Sequence, residues 1–248
     1  MEYLEFTGTE DPFALRRTWG KSSLVKIKDF ILQDPTLELI SLVNHCYDLL
    51  KAHSDDASID PDLLDNFKKW DGIWVKALPK FLATYRPDLV VVLSGLLDGI
   101  TQRFNAIFEL NWKINTAYSF FRRHYTFDPN KYVRWHTDAE AARTRNVNAE
   151  SVNIWMPLDM VGEKLPSLEF IPFSSARMRN EPLPESAGPY TYRDDEWVQG
   201  RFKDTDIWTP QAEPGDAVIF DHYTLHRTQR IAPSGGHRTN CEFRFFPA

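Results

Sequence analysis

The segment Ser151-Val152-Asn153-Ile154-Trp155-Met156-Pro157-Leu158 lies in the second half of the chain and alternates in polarity. Its apolar positions Val152, Ile154 and Met156 alternate with Asn153, Trp155 and Pro157. Because successive side chains of a β-strand point to opposite faces, this period of two predicts a strand. Other short strands are predicted around it, at residues 117–123, 132–136, 168–171, 217–220 and 238–246. The second half of the chain is therefore predicted to consist mainly of strands.

The first half of the chain instead predicts helices. Apolar side chains recur at helical spacing over residues 37–50, with Thr36 as the expected N-cap, and again over residues 87–110. Pro61 is typical of a first helical turn, and residues 24–27 predict a short strand. Helices followed by a run of strands predict an α+β, mainly β architecture, with the helices packed outside a strand sandwich or barrel.

The length and composition are those of a soluble globular domain. Of the 248 residues, 42% are hydrophobic and 26% are charged, which is ordinary for such proteins. We expect one domain over residues 1–248, with a helical part over about residues 1–112 and a strand core over about residues 113–248. The polar, Pro-rich residues 172–210 are long for a loop without structure, and such loops are often lids or substrate-binding insertions.

Charge and cysteine content argue against several classes of protein. The net charge of -6 provides no general basic field, so no nucleic-acid partner is expected. The two cysteines, Cys46 and Cys241, form no Cys-x-x-Cys pair, which argues against a disulfide scaffold or a zinc knuckle. No signal peptide is recognised, and the longest apolar stretch, residues 89–97, is too short to span a bilayer. We expect a cytoplasmic protein without a membrane partner, whose oligomeric state the sequence does not indicate.

Three residues are candidate metal ligands. His136 and Asp138 lie two apart in Arg134-Trp135-His136-Thr137-Asp138, so on a strand their side chains would point the same way. With His226 they would form two imidazoles and one carboxylate, the facial triad typical of non-haem Fe(II). Alternatively, His136 and Asp138 form a local hydrogen-bonded pair and His226 lies in the core.

His222 competes with His226 for the position of third ligand. The two histidines are four residues apart, which would suit a His-x-x-x-His zinc site on a helix. The preceding Pro214-Gly215-Asp216 and the apolar residues 217–220 instead predict a turn and a strand. This favours His226.

Three segments together resemble the phytanoyl-CoA dioxygenase family of Fe(II)/2-oxoglutarate-dependent oxygenases. They are residues 135–138, residues 154–160 with 168–172, and residues 214–220 followed by His226-Arg227-Thr228 and Arg238. The resemblance implies a double-stranded β-helix, also called a jelly roll or cupin-like barrel, with His136, Asp138 and His226 as ligands to iron. Where the family usually has Pro-Gly-Ser-His, this chain has Pro172-Phe173-Ser174-Ser175, which leaves the structure of that loop open.

A 2-oxoglutarate co-substrate needs a cation for its far carboxylate, and the planar fork of arginine suits that group. The resemblance implies that Arg238 fills this role and that the Thr228 hydroxyl shares the carboxylate. Arg244, six residues beyond Arg238, is expected on the same strand face. Residues 238–244 also look like the Arg-x-Asn-x-x-x-Arg segment of nucleic-acid repair demethylases of the same superfamily, in which both arginines contact 2-oxoglutarate. Alternatively, the two arginines face solvent and pair with Glu242 or other acids.

Further residues are candidates for co-substrate or substrate contacts. Tyr118 and Arg122 are expected on one face of the strand before His136, where the family often has co-substrate contacts, and Trp155 matches an aromatic position beside the co-substrate. Tyr118 and Trp155 would serve equally well in core packing. Candidate substrate contacts are Arg143, Arg145 and Asn153. For the two arginines, a solvated loop is the alternative.

The resemblance implies an enzyme that uses O2, Fe(II) and 2-oxoglutarate to hydroxylate a small-molecule substrate, with release of succinate and CO2. Relatives that halogenate replace the carboxylate ligand with a small residue, so Asp138 favours hydroxylation or a related oxidation. Two other functions stay open. One is a cupin-type metal dioxygenase that does not use 2-oxoglutarate. The other is a ligand-binding jelly roll without catalytic activity.

Overall fold

The structure is a computed structural model that describes residues 4–7, 11–125, 132–139, 150–181, 192–203, 205–231 and 236–248. The strands are β1 (Glu5–Thr7), β2 (Leu24–Lys28), β3 (Gly72–Trp74), β4 (Trp112–Ile114), β5 (Phe120–Tyr125), β6 (Val152–Pro157), β7 (Leu168–Phe170), β8 (Ala217–Asp221), β9 (His226–Thr228) and β10 (His237–Pro247). The helices are α1 (Pro12–Ser22), α2 (Gln33–Ala52), α3 (Pro61–Trp70), α4 (Leu78–Tyr85), α5 (Asp88–Phe108), α6 (Ser174–Asn180) and α7 (Asp195–Phe202).

In the described part of the chain the strands form a large mixed sheet and a small one. The eight-stranded sheet has the order β1-β2-β8-β6-β10-β5-β3, with β4 paired to β10. Only β1 and β2 are parallel among its pairs. The two-stranded sheet pairs β7 with β9. The described strands do not close into a barrel, and three strands that precede residue 112 belong to the same sheet as β5, β6, β8 and β10.

Helix α5 covers one face of the large sheet. Its buried side chains recur every three or four positions, at Leu89, Leu93, Leu96, Ile100, Phe104, Ile107 and Phe108. Phe104 packs on Phe245 of β10, with ring centroids 4.4 Å apart. Each such buried side chain contributes about 1.5–3 kcal/mol. Apolar packing therefore occupies this face and leaves the opposite face of β10 to polar side chains.

The alternation of β10 separates these two faces. Cys241, Phe243 and Phe245 are buried in the apolar cluster beneath the helices. Arg238 and Arg244, at even spacing from one another, instead contact polar groups on the other face. The prediction that these two arginines share a face is therefore confirmed by their contacts, and the alternative that both face solvent is wrong because Arg238 is 2% exposed.

Three local predictions need correction. Thr36 is not the N-cap of α2: the helix begins at Gln33, and the Thr36 hydroxyl donates to the Leu32 carbonyl 2.8 Å away inside the first turn. The strand predicted at residues 117–123 begins only at Phe120, because residues 115–118 form a turn closed by the hydrogen bond from Tyr118 N to Asn115 O. Residues 132–136 pair only at Trp135 and His136, as isolated bridges to Arg193 and His226.

The loop that departs from the family pattern keeps a glycine-like backbone. Phe173 stands where the family usually has glycine, and its φ of 63° lies in the left-handed region that glycine favours. Ser174 accepts a hydrogen bond from Leu225 N at 2.8 Å, and Ser175 donates to Asp221. The turn is thus held from both sides, which forces the strained conformation on Phe173. The insertion at residues 172–210 contains α6 and α7.

Candidate active site

Two chain segments bring the three candidate ligands together. His136 and His226 face each other as a bridged pair, with each backbone N–H donating to the other's carbonyl at 3.0 and 3.1 Å. After His136 the chain leaves this extended course, and Asp138 already adopts helical backbone. A hydrogen bond from Ala139 N to His222 O, 2.8 Å, fixes that turn. Asp138 therefore approaches His136 through a change of backbone direction, and not because both lie on one strand as the sequence suggested.

Both imidazoles are oriented in the same way. Nδ1 of His136 lies 2.8 Å from the Arg134 carbonyl, and Nδ1 of His226 lies 2.9 Å from the Thr224 carbonyl. A carbonyl can only accept, so Nδ1 carries the proton and Nε2 is left with a lone pair on each ring. Such a second hydrogen bond is what fixes the tautomer of metal-binding histidines.

The ligand atoms converge on one point. One ligand atom from each of His136, Asp138 and His226 lies within 4.8 Å of the others, and all three residues are buried. His136 Nε2 is 3.8 Å from Asp138 Oδ1, and the two imidazole centroids are 4.3 Å apart. With a small inward shift of these side chains, one metal ion with bonds of about 2.0–2.2 Å can contact all three.

The second oxygen of Asp138 is already engaged. Asn153 Nδ2 donates to Asp138 Oδ2 at 2.6 Å, and Arg244 Nη2 lies 3.0 Å from the same oxygen. Oδ1 is thus the oxygen that faces His136. Arg244 and Asn153 therefore both hold the Asp138 carboxylate. The sequence predicted Arg244 as a co-substrate contact and Asn153 as a substrate contact. Whether either also touches co-substrate or substrate stays a prediction.

The electrostatics keep His136 and Asp138 in their metal-binding protonation states. Burial, together with the neighbouring His226, lowers the pKa of His136 from 6.5 to about 3, so its imidazole is neutral at pH 7. Burial alone would raise the pKa of Asp138, but the positive charge of Arg244 lowers it below its usual value. Two neutral imidazoles and one carboxylate are the donor set of a non-haem Fe(II) site.

Several buried polar side-chain atoms of the described residues lack a partner, and two of them belong to residues next to the ligands, Thr137 and Asn153. Buried side-chain atoms without a hydrogen-bond partner in the described part of the chain include Arg122 Nε, Thr137 Oγ1, Asn153 Oδ1, Trp155 Nε1, Ser167 Oγ, Arg238 Nε and Asn240 Oδ1. Buried polar groups in folded proteins are normally paired, so a group of unpaired ones indicates a place for water or a polar ligand. The residues present therefore fit both a metal ion and an oxygen-rich co-substrate.

Arg238 is hydrogen-bonded through Nη1 and has an Nε that is unpaired among the described residues. Its Nη1 donates to the carbonyls of Pro166 and Ser167 at 2.5 and 2.9 Å, which ties the guanidinium to the chain segment entering β7. Nε has no hydrogen bond within the described residues, and no carboxylate there lies within ion-pair distance. Burial lowers the pKa of Arg238 from 12.5 to about 10, so it stays charged at neutral pH. A fixed guanidinium with an unpaired edge is suited to a carboxylate in a bidentate pair.

Two other predicted co-substrate residues lie near Arg238. Thr228 is on β9, opposite Leu168 of β7, and its Oγ1 accepts from Val133 N at 3.2 Å, which leaves the hydroxyl proton available. Trp155 is 1% exposed and packs in an apolar cluster, while the guanidinium carbon of Arg238 lies 5.2 Å from its ring centroid. Trp155 thus both packs in the core and borders the arginine.

The remaining predicted residues have different surroundings. Arg122 lies on β5, with its guanidinium carbon 4.7 Å from the centroid of Phe120. Tyr118 lies in the turn before β5, packs 6.0 Å from Phe246, and lines an open cavity of about 400 Å³ with side chains of α3 and β3. Arg143 and Arg145 lie outside the described residues. His222 is buried, but its Nδ1 hydrogen-bonds the backbone of Ser151 and it is not among the three clustered ligands.

Sequence reasoning missed the residues that support the site from the insertion. Asp195 at the start of α7 accepts from Trp135 Nε1 at 2.9 Å and from Arg230 at 2.7 Å, and also pairs with Arg227. Trp135 and Arg227 adjoin the two histidine ligands in sequence. Tyr192, just before α7, lies with its ring centroid 6.1 Å from that of His136. Only the Pro-rich length of residues 172–210 gave a signal, and it did not point to Asp195 or Tyr192.

The fold and the site together define an oxygenase-type jelly roll with a two-histidine, one-carboxylate centre. A sequence model of the phytanoyl-CoA dioxygenase family (PhyH) matches residues 101–239. The chain therefore belongs to the phytanoyl-CoA dioxygenase family. It is accordingly an Fe(II)/2-oxoglutarate-dependent oxygenase, with iron and 2-oxoglutarate as its cofactors. No curated protein matched the chain by sequence.

Solved structures of similar fold include several enzymes of this chemistry. EctD from S. alaskensis with 2-oxoglutarate and 5-hydroxyectoine has a TM-score of 0.66 at 14% identity, over 96% of this chain and 78% of that one. The carbocyclase SnoK from nogalamycin biosynthesis has a TM-score of 0.58 at 14% identity, over 94% and 83%. The epimerase SnoN with Fe3+, α-ketoglutarate and nogalamycin RO has a TM-score of 0.58 at 14% identity, over 96% and 85%. At such identities these likenesses establish the fold.

Membrane insertion by a helix has no support in the described residues, where no helix combines the length and apolar character needed to cross a bilayer.

Proposed function

We propose that the protein hydroxylates a small molecule, with His136, Asp138 and His226 as the iron ligands and Arg238 as the partner of the far carboxylate of 2-oxoglutarate. Thr228 adds a hydroxyl donor to that carboxylate. The observation that carries the proposal is the pairing of a buried three-residue cluster with a buried guanidinium whose Nε is unpaired.

The protein's own contribution is orientation. The Arg134 and Thr224 carbonyls hold both Nδ1 atoms, so Nε2 of each imidazole faces the metal position. Asn153 and Arg244 hold Oδ2 of Asp138, so Oδ1 is the oxygen that would donate to a metal ion. When bound, Fe(II) and 2-oxoglutarate supply the oxidising chemistry, in which O2 is consumed and succinate and CO2 are released.

The walls of the site keep this chemistry away from bulk water. Phe170 and Phe220 pack against His226, with centroids 5.9 and 4.8 Å from its ring. Both phenylalanines are buried, with exposures of 0% and 3%. A dry wall strengthens the electrostatic interactions inside the site and protects reactive species from side reactions.

Two considerations support hydroxylation as the reaction and a small molecule as the substrate. Asp138 keeps the third ligand position filled, as expected for hydroxylation. The neighbours EctD and SnoN are described with 5-hydroxyectoine and nogalamycin RO, both small molecules, which supports a small-molecule substrate for this chain.

Anaerobic visible spectroscopy tests the proposal. Addition of Fe(II) and 2-oxoglutarate together should produce a weak charge-transfer band that neither component produces alone, because the band requires chelation of the iron by the oxo acid. Succinate release with candidate substrates should follow. Iron binding without the band would favour a metal dioxygenase independent of 2-oxoglutarate, and absence of metal binding would favour a ligand-binding protein.

A further inference from the structure

The arginines around the site divide into those with and those without an acid partner. Arg227 pairs with Glu169 and Asp195, and Arg244 pairs with Asp138 and Glu242. Arg179, Arg201 and Arg230 are also paired with carboxylates. By contrast, Arg122, Arg134 and Arg238 have no carboxylate within 4.0 Å in the part of the chain that the structure describes.

Arg134 contacts Tyr192 beside the metal cluster. The guanidinium carbon of Arg134 lies 5.1 Å from the Tyr192 ring centroid. The charges of Arg122 and Arg134 both act on the Tyr192 hydroxyl, where they oppose the rise in its pKa that burial causes. Tyr192 in turn lies 6.1 Å from the His136 ring, centroid to centroid. A guanidinium and a phenol therefore stand beside a candidate metal ligand, and the charge of Arg122 also reaches that phenol.

Arg122 has the character of a binding group. Its side chain is partly buried over Phe120, and its Nε is buried without a hydrogen bond. Its charge also acts on Arg238, where it lowers the pKa of that guanidinium. Arg122 pairs with Asn240 of β10, two residues from Arg238, so the two guanidiniums share one face of the sheet. Like charges so placed cost free energy unless an anion separates or neutralises them. One far carboxylate of 2-oxoglutarate accounts for Arg238 and leaves the partly buried Arg122 without a counter-ion among the described residues, whereas Arg134 is exposed and free to meet a ligand from solvent.

We propose that Arg122 and Arg134, with the Tyr192 hydroxyl, bind an anionic group of the substrate, so that the enzyme acts on small acids. The inference rests on the proposed function, because it assigns Arg238 to 2-oxoglutarate and the other two arginines to the substrate. A carboxylate fits the planar arginine fork and the single phenol donor. The atom to be oxidised then lies a few bonds from that carboxylate, because Tyr192 borders His136.

The test uses benzoate and benzamide as probes that differ mainly in charge. Each is titrated by calorimetry, under anaerobic conditions, into protein saturated with Fe(II) and 2-oxoglutarate. The charge-transfer band is recorded in parallel to show that 2-oxoglutarate stays bound. Benzoate should bind at least about tenfold more tightly than benzamide, the value of a charge-assisted hydrogen bond. Arg122→Gln should remove the difference and leave the affinity for 2-oxoglutarate within about threefold of the unsubstituted protein.

Arg123→Gln is the matched control. Arg123 is the next residue of β5, points to the other face, and contacts Asn44 and Tyr47. It should preserve the preference for benzoate. Equal binding of the two probes, absence of binding by both, or a preference that survives Arg122→Gln would overturn the inference. So would a loss of 2-oxoglutarate affinity in Arg122→Gln, which would make Arg122 a co-substrate residue. Failure of the band in the unsubstituted protein would instead overturn the proposed function.

Discussion

Replacement of Arg238 separates co-substrate binding from metal binding. In Arg238→Gln the bidentate, charge-assisted contact to the far carboxylate is lost inside a site where the arginine is 2% exposed. Truncation of one partner of a buried charge pair costs about 2–5 kcal/mol. Since 1.4 kcal/mol corresponds to tenfold in affinity, the Kd for 2-oxoglutarate should rise by about 30-fold to several thousand-fold. Titration of the charge-transfer band measures that Kd, and a metal-binding titration should show little change in affinity for Fe(II).

Two companion variants define what the result means. Arg238→Lys keeps the charge but not the planar fork, so it should recover only part of the affinity. Arg244→Gln acts on Asp138 and should weaken metal binding more than co-substrate binding. Because Nη1 of Arg238 also caps the carbonyls of Pro166 and Ser167, some loss of thermal stability is expected in both Arg238 variants. A Kd for 2-oxoglutarate within threefold of the unsubstituted value in Arg238→Gln would refute the assignment.

Four further predictions concern the supporting residues. Asn153→Leu should weaken metal binding about 10- to 100-fold, as other losses of a ligand's supporting hydrogen bond do, and equal affinities in a metal titration would contradict this. His226→Gln should abolish metal binding, whereas His222→Gln should lower the melting temperature and retain the metal; the reverse pattern would make His222 the ligand. Phe173→Gly should relieve about 1 kcal/mol of left-handed backbone strain and raise the melting temperature by about 2–4 °C. A lower melting temperature would show that the contacts of the Phe173 ring outweigh the strain. The pKa of His136 in the folded protein, about 3, lies below its ordinary value of 6.5, so between these pH values the unfolded chain binds one more proton. The metal-free protein should therefore lose stability as pH falls from 6.5 toward 3, by up to about 1.4 kcal/mol per pH unit. His136→Gln should flatten that dependence in thermal melts, and an unchanged slope would count against it.

The spacing of apolar residues along the chain predicted most of the helices and strands. The alternation at residues 151–158 and the helical spacing at residues 87–110 correspond to β6 and α5, because both reflect a division between apolar and polar faces that the chain encodes locally. The same rule placed Arg238 and Arg244 on one face of β10. The strand at residues 132–136 was overestimated, because its pairing depends on His226 and Arg193, which are remote in sequence.

The site was predictable only as a set of residue types. The residues His136, Asp138 and His226 came from the motif and the family resemblance, and the structure brings them together. The route was not predictable: Asp138 arrives through a helical turn whose hydrogen bond involves His222. The partners of Asp138 and the approach of Tyr192 depend on tertiary packing, which no spacing along the chain encodes. Arg143 and Arg145 keep the status of predictions.

A crystal structure of the protein grown anaerobically with Mn(II), a redox-stable substitute for Fe(II), and 2-oxoglutarate would test the central claim most directly. The account predicts one ion bonded to Nε2 of His136, Oδ1 of Asp138 and Nε2 of His226, and a 2-oxoglutarate carboxylate on the Nε edge of Arg238. An ion held by other residues, or a far carboxylate bound away from Arg238, would contradict it.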